Sequence, residues 1–91
     1  MPTRRICQAG RLLSVKNDLK AVFGTILREL RTNKELTQQQ LADYAGIDRA
    51  YISELERGIF MPSIETVFKI ADVLKVKPQQ IIERVYDQFK K

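Results

Sequence analysis

The sequence predicts an all-α fold built from five helices. Three observations lead there. Apolar residues recur at helical spacing through each structured segment, capping and stop residues bracket every run, and no stretch alternates at the period of a strand. A chain of 91 residues is one domain's worth, enough for a single modest core. Residues 1–16 lack sustained periodicity, so a flexible, basic N-terminal tail is expected there and the folded domain over 17–91.

The first helix begins at Asn17, a suitable N-cap, with Asp18 favourably placed in the first turn. Leu19, Val22, Phe23, Ile26, Leu27 and Leu30 then fall at i, i+3, i+4, i+7, i+8 and i+11, one apolar stripe that ends near Asn33. Thr37 followed by Gln40 forms a capping box, and Leu36 with Leu41 a hydrophobic staple, so residues 38–45 make a second, short helix. Its apolar side is Leu41, Ala42 and Ala45, and Gly46 closes it in the left-handed conformation. Asp48 caps a third helix, with Ile47 and Ile52 as a second staple, and Gly58 stops it after Arg57. Met61-Pro62-Ser63 opens a fourth, with Ser63 as N-cap, Glu65 in the first turn, and Ile64, Val67, Phe68, Ala71 and Leu74 as the buried face. Pro78 fits the first turn of a fifth helix, where its missing N–H leaves nothing unpaired. Ile81, Ile82, Val85, Tyr86 and Phe89 repeat at helical spacing to the end of the chain.

Composition narrows the function. With no histidine and a single cysteine, Cys7, the usual zinc-ligand sets and nucleophile–imidazole pairs are absent, and no intrachain disulfide can form. No carboxylates are paired at a spacing that suggests acid–base work. An enzyme is therefore not expected, nor a metal or other cofactor, and Cys7 reads as an incidental thiol. No run approaches the roughly eighteen apolar residues of a membrane span, and the basic start Met1-Pro2-Thr3-Arg4-Arg5 leads into no continuous apolar stretch. A cytoplasmic protein without membrane contact is expected.

The net charge of +5 suits a nucleic-acid partner, but it is unevenly spread. Residues 1–35 carry eight basic and three acidic groups, residues 36–60 two and four, and residues 61–91 six and four. The positive charge thus sits mainly ahead of the second and third helices, which are net negative. Arg4, Arg5, Arg11 and Lys16 in the tail read either as a solvated terminus or as an arm reaching DNA phosphates or a minor groove.

Two short capped helices joined by a glycine turn describe a helix-turn-helix by geometry alone. Ala42 is small where the two helices cross, and Gly46 permits the tight turn. Ile52 and Leu55 face inward and lock the third helix to the core. That leaves Arg49, Ala50, Ser53, Glu54 and Arg57 facing out, with Tyr51 near the edge. The face is short, polar and rich in hydrogen-bonding groups, as an element inserted in a major groove must be.

The run Leu36-Thr-Gln-Gln-Gln-Leu-Ala-Asp-Tyr-Ala-Gly-Ile-Asp-Arg-Ala-Tyr-Ile-Ser-Glu-Leu-Glu-Arg-Gly58 resembles the Xre / Cro–C1-type helix-turn-helix family of transcriptional regulators. The lead-in Leu30-Arg31 and the continuation Pro62-Ser-Ile-Glu-Thr-Val-Phe-Lys-Ile-Ala-Asp-Val-Leu74 extend the match, so that the resemblance covers residues 20–82. It implies a compact five-helix, lambda-repressor-like DNA-binding domain that acts as a dimer on a palindromic double-stranded operator. The DNA-contacting set it implies is Gln38, Gln39, Asp48, Arg49, Ala50, Tyr51, Ser53, Glu54 and Arg57. Gln38 corresponds to the residue that touches the DNA backbone and braces the recognition helix, and Arg49 and Ala50 to the first base-reading positions. A guanidinium at Arg49 can reach guanine O6 and N7 bidentately, worth roughly 1–3 kcal/mol of discrimination; a phosphate contact, or a local pair with Asp48 or Glu54, is the plainer reading. Asp48 reads as a cap before a base contact. Tyr51 can pack on a thymine methyl or donate its hydroxyl to a phosphate, and both readings stand. Glu54 stays open between cytosine N4, Arg49 and a protein partner.

Glu56 matches the position that forms an ion pair with the first-helix arginine, here Arg31, a structural tie rather than a base contact. Glu35 stands where the family often has glycine, so the turn before the second helix is expected to be strained or rearranged. Lys77 stands where a better N-cap is usual, leaving the fifth helix weakly fixed at its start. Tyr86 and Phe89 lie beyond the minimal family domain. With Ile82 and Val85 they are expected to form an isologous dimer contact, burial within the chain being the plainer reading for Ile81, Ile82 and Val85.

Operator binding by a compact regulator without a ligand domain, such as a phage-type repressor or a restriction–modification controller protein, is the leading expectation, with RNA polymerase as a further candidate partner. The Asp48-Arg49-Ala50-Tyr51-Ile52-Ser53 run is similar to restriction–modification controller proteins, which does not decide repressor from activator. A second class is an antitoxin or adaptor whose terminal helix binds a partner protein and whose DNA contact is secondary.

Overall fold

The computed structural model describes residues 18–90. The basic tail, Cys7 and Asn17 lie outside the described residues. Five helices follow in order: α1 (Leu19–Asn33), α2 (Gln38–Ala45), α3 (Arg49–Glu56), α4 (Ile64–Leu74) and α5 (Pro78–Phe89). No strand occurs among the described residues, so the all-α expectation holds.

Three of the five helices start behind a residue whose side chain accepts a free N–H of the first turn. For α1 that residue is Asp18, one position later than the sequence suggests: its carboxylate accepts the Lys20 N–H at 3.0 Å. The capping box of α2 is complete. Thr37 Oγ1 accepts the Gln40 N–H at 3.0 Å, and Gln40 Oε1 accepts the Thr37 N–H at 2.9 Å. Ser63 Oγ does the same service for Thr66 in α4 at 3.1 Å. Asp48 occupies the N-cap position of α3 with extended backbone, yet its side chain makes no capping bond. Lys77 has no oxygen to offer at the start of α5, but the helix is tied from the other direction, because Gln80 Oε1 accepts the Lys77 N–H at 2.8 Å.

The helix ends show where the chain turns sharply. Gly46 and Gly58 lie in the left-handed region at φ 70° and 77°, the conformation glycine adopts without steric cost. Glu35 takes the same region at φ 58°, so the strain expected of a non-glycine residue in the turn before α2 is present. Lys75 also adopts it, at φ 61°, closing α4.

The core is one cluster drawn from all five helices, with Ile26, Leu27, Leu41, Ile52, Leu55, Ile70, Leu74 and Ile81 sealed from solvent. Leu36 and Ile47, the two staple residues, pack against it from the turns. The buried face of α4 differs from the expected one. It is Val67, Ile70, Ala71 and Leu74, while Ile64 and Phe68 are 67% and 58% exposed. Seven of the eleven α4 residues are apolar, so the sequence offers two overlapping stripes, and packing against α2 and α5 selects the one through Ile70.

One approach carries no signal in the apolar pattern. Gly24, buried on α1, faces the C-terminal turn of α3, where a methyl group would stand 2.5 Å from the Leu55 carbonyl oxygen and 2.6 Å from that of Glu56. Only glycine lets the two backbones come this close. Gly24 thereby sets the seat of α3 on α1.

Candidate nucleic-acid interface

Helix α3 has two dissimilar sides. Ile52 and Leu55 are fully buried and anchor it. Arg49, Ala50 and Arg57 are exposed on the other side, while Tyr51, Ser53 and Glu54 are half-buried between them. Helix α2 packs on α3 with Ala42 buried, a side chain small enough for the crossing the sequence suggests. Gly46 lets the chain reverse between them, with the Ala42 carbonyl accepting from both the Gly46 N–H and, at 2.9 Å, the Ile47 N–H.

Behind the outward face lies a connected polar group. Arg31 on α1 meets Glu56 at the end of α3 in a two-pronged contact: Nε donates to Oε2 at 2.6 Å, and Nη2 donates to Oε1 at 3.1 Å. The pair is withdrawn from solvent, the side chains being 12% and 4% exposed. The third guanidinium nitrogen of Arg31, Nη1, donates to the Leu36 carbonyl at 2.7 Å, fixing the turn before α2. Gln38, the first residue of α2, extends the network. Its Nε2 donates to Glu56 Oε1 at 3.0 Å, and its Oε1 accepts from Arg49 Nη1 at 3.4 Å. Arg49 therefore leans on Gln38, and among the described residues it pairs with neither Asp48 nor Glu54. The Arg31–Glu56 pair and the bracing role of Gln38 are what the resemblance implies; the bonds that join Gln38 to Glu56 on one side and to Arg49 on the other show only in the fold.

The remaining residues of the expected set are dispersed. Gln39 is exposed and donates to Asp43 Oδ1 at 2.8 Å, one turn along α2. Tyr51 packs partly on the core, and its ring lies 6.5 Å from that of Phe60, tilted by 41°. Its ring thus neighbours the segment that follows α3. Arg57 sits at the C-cap of α3.

A second surface lies on α5. The expected dimer residues divide here: Ile82, Tyr86 and Phe89 are 48%, 60% and 38% exposed, whereas Val85 is 7% exposed and belongs to the core. Helical spacing cannot separate the two, because Val85 lies on the boundary between the stripe facing α1 and the stripe facing out. The exposed three border an apolar groove with Leu19 of α1, and Met61 and Ile64 at the head of α4. These last three residues were not foreseen. Ile64 was assigned to the core, and Met61 to the opening of α4.

Residues 27–81 match the helix-turn-helix family model HTH_3. The chain belongs to this family. Its Cro/C1-type members are DNA-binding transcription regulators. The chain is similar to the control protein C.BamHI of Bacillus amyloliquefaciens, 32% identical over 68 residues that cover 74% of this chain and 84% of that one. It also resembles the solved restriction-modification controller protein C.AhdI from Aeromonas hydrophila, with 40% identity and a TM-score of 0.67 over 68% of this chain and 94% of that one. The controller protein C.Esp1396I, solved as a tetramer in complex with its natural 35 base-pair operator, shares 27% identity and a TM-score of 0.71 over 80% and 96% of the respective chains. No helix among the described residues is long and apolar enough to cross a membrane.

Proposed function

We propose that this helix-turn-helix regulator binds a two-fold symmetric DNA operator as a homodimer, each protomer laying α3 in the major groove of one half-site. The observation that carries this reading is the division of α3 into a sealed side, Ile52 and Leu55, and an outward side with Arg49 held at its start by Gln38. Arg49 is the base reader in this reading, donating to guanine. Ala50, Ser53 and Glu54 face neighbouring base edges, and Gln38, Gln39 and Arg57 face the backbone. Asp48, without a capping bond of its own, flanks the reader.

The groove beside Ile82, Tyr86 and Phe89 serves as the contact between protomers. A second copy suits it because a two-fold contact places the same apolar residues on both sides and covers them together. The C.Esp1396I structure, a tetramer in complex with its natural 35 base-pair operator, supports the coarser part of the reading, operator binding by several chains together.

Selection of bound duplexes from a random pool tests this. The expected product is an inverted repeat with half-site centres about one helical turn, roughly 34 Å, apart. An asymmetric selected site would overturn the dimeric reading, and a pool without enrichment would overturn sequence-specific binding.

A further inference from the structure

We infer that Glu56, though it reaches no base, sets which bases Arg49 reads, by fixing the orientation of the Gln38 side-chain amide between them. The inference rests on the proposed base-reading role of Arg49.

The orientation follows from chemistry. A carboxylate can only accept hydrogen bonds and a guanidinium can only donate them. An amide bridging the two has one arrangement that satisfies both neighbours, with its NH2 toward the carboxylate and its carbonyl toward the guanidinium. Gln38 has that arrangement, with Nε2 on Glu56 Oε1 at 3.0 Å and Oε1 on Arg49 Nη1 at 3.4 Å. Glu56 is itself held by both prongs of Arg31, and its side chain is 4% exposed, so it cannot rotate away. The order of polarity therefore runs outward from Arg31 on α1, through Glu56 and Gln38, to the guanidinium at the start of the reading helix. Gln38 thus orders the outermost group from behind, before DNA arrives, and leaves the other guanidinium N–H groups free to point away from the protein. A side chain oriented in advance loses less freedom on binding and discriminates more sharply than one that must be ordered by the ligand.

Glu56→Gln is nearly isosteric yet reverses the order. Glutamine keeps only one acceptor oxygen for the two Arg31 donors; the Nε bond to Oε2 is the shorter, 2.6 Å against 3.1 Å from Nη2 to Oε1, so the amide oxygen takes the place of Oε2 and Nη2 gives up its acceptor. An NH2 group then stands where Oε1 stood. Gln38 must turn its carbonyl toward that NH2, which presents its own NH2 to Arg49, donor against donor. Arg49 is released from its seat. Gln38→Met removes the same link from the middle while leaving the Arg31–Glu56 pair intact, so it keeps the inference testable if Glu56→Gln folds poorly. In the double variant Glu56→Gln with Gln38→Glu, the amide at 56 donates to the carboxylate at 38, and that carboxylate accepts from Arg49. The seat is rebuilt without the original ion pair.

The experiment uses full-length chains and duplexes carrying the sequence selected by the unmodified protein, together with every single base-pair replacement of one half-site. The readout is the ratio of affinities between the selected and replaced pair, with folding monitored by thermal melting. Arg49→Ala identifies the base pair that Arg49 reads, where the unmodified protein discriminates by about 10- to 100-fold. Gln38→Met and Glu56→Gln are expected to reduce that ratio to under about threefold at the same base pair and to leave the ratios elsewhere in place. The double variant is expected to recover it, whatever its melting temperature, an effect that a merely structural role for Glu56 would not produce. Retention of discrimination in Gln38→Met, or no recovery in the double variant, overturns the inference while Arg49 remains a base reader. Uniform weakening of all duplexes by Arg49→Ala overturns the base-reading role itself, and the role of Glu56 with it.

Discussion

Replacing Gly24 by alanine tests the seat of α3 on α1 by the sign of its effect. Alanine is the better helix former, and within α1 the change gains about 1 kcal/mol on propensity alone. Against that, the added methyl would stand 2.5 Å from the Leu55 carbonyl oxygen, 2.6 Å from the Glu56 oxygen and 3.0 Å from the Glu56 carbonyl carbon. All three are backbone atoms of α3 or its last turn, so no rotamer change relieves the contact. Restoring an ordinary separation moves the end of α3 away from α1 by roughly 1 Å, and overpacking of this kind costs about 3 kcal/mol at the upper end of its usual range. The net expectation is a loss of about 2 kcal/mol, or a melting temperature lower by roughly 8–16 °C for a domain of this size. DNA affinity measured well below that temperature is expected to fall as well, since Glu56 and the bonds that depend on it move with the helix end. Thermal unfolding followed by circular dichroism decides the matter. A Gly24→Ala protein that melts at or above the unmodified temperature would refute the close approach.

Glu35→Gly relieves a left-handed non-glycine residue at φ 58° and is expected to raise stability by about 1 kcal/mol, read as a higher denaturant midpoint at unchanged slope. Arg31→Met leaves the Glu56 carboxylate without its counter-ion at a site 4% exposed and is expected to cost about 3–5 kcal/mol in the same assay. Tyr86→Ser combined with Phe89→Ser alters side chains that stand exposed on α5. Light scattering should then show a single-chain mass under conditions where the unmodified protein is dimeric, with helical circular dichroism retained and a melting temperature that no longer rises with protein concentration; a dimer that persists would remove α5 from the contact.

The local features of this fold were legible in the sequence because they depend on residues within a turn of one another. Thr37 and Gln40 announce the start of α2, Gly46 and Gly58 the sharp turns, and Ser63 the start of α4, each through a bond or a backbone angle that needs no distant partner. Asp18 displaced Asn17 as the cap of α1 because both are good caps and the pattern does not choose between neighbours. The orientation of α4 was not legible. Ile64, Val67, Phe68, Ile70, Ala71, Val73 and Leu74 leave most of the helix apolar, and only its neighbours decide which side is covered. Gly24 gave no sign of its role, since a glycine inside a helix looks like a small propensity cost until the opposing backbone is seen. At the candidate site, the resemblance supplied the Arg31–Glu56 pairing and the bracing role of Gln38. The polarity that joins them to Arg49 needed atomic positions.

The two-sided build of α3 bears on how such a regulator acquires a new target. Ile52 and Leu55 hold the helix without help from the outward residues, and Gly24 fixes its distance from α1. Exchanges at positions 50 and 57 therefore fall outside the packed interior, and those at the half-buried positions 53 and 54 at its margin. If α3 reads bases as proposed, the residues that choose them can change with little cost to the fold. Position 49 is less free, because whatever replaces arginine inherits an amide carbonyl waiting for a donor.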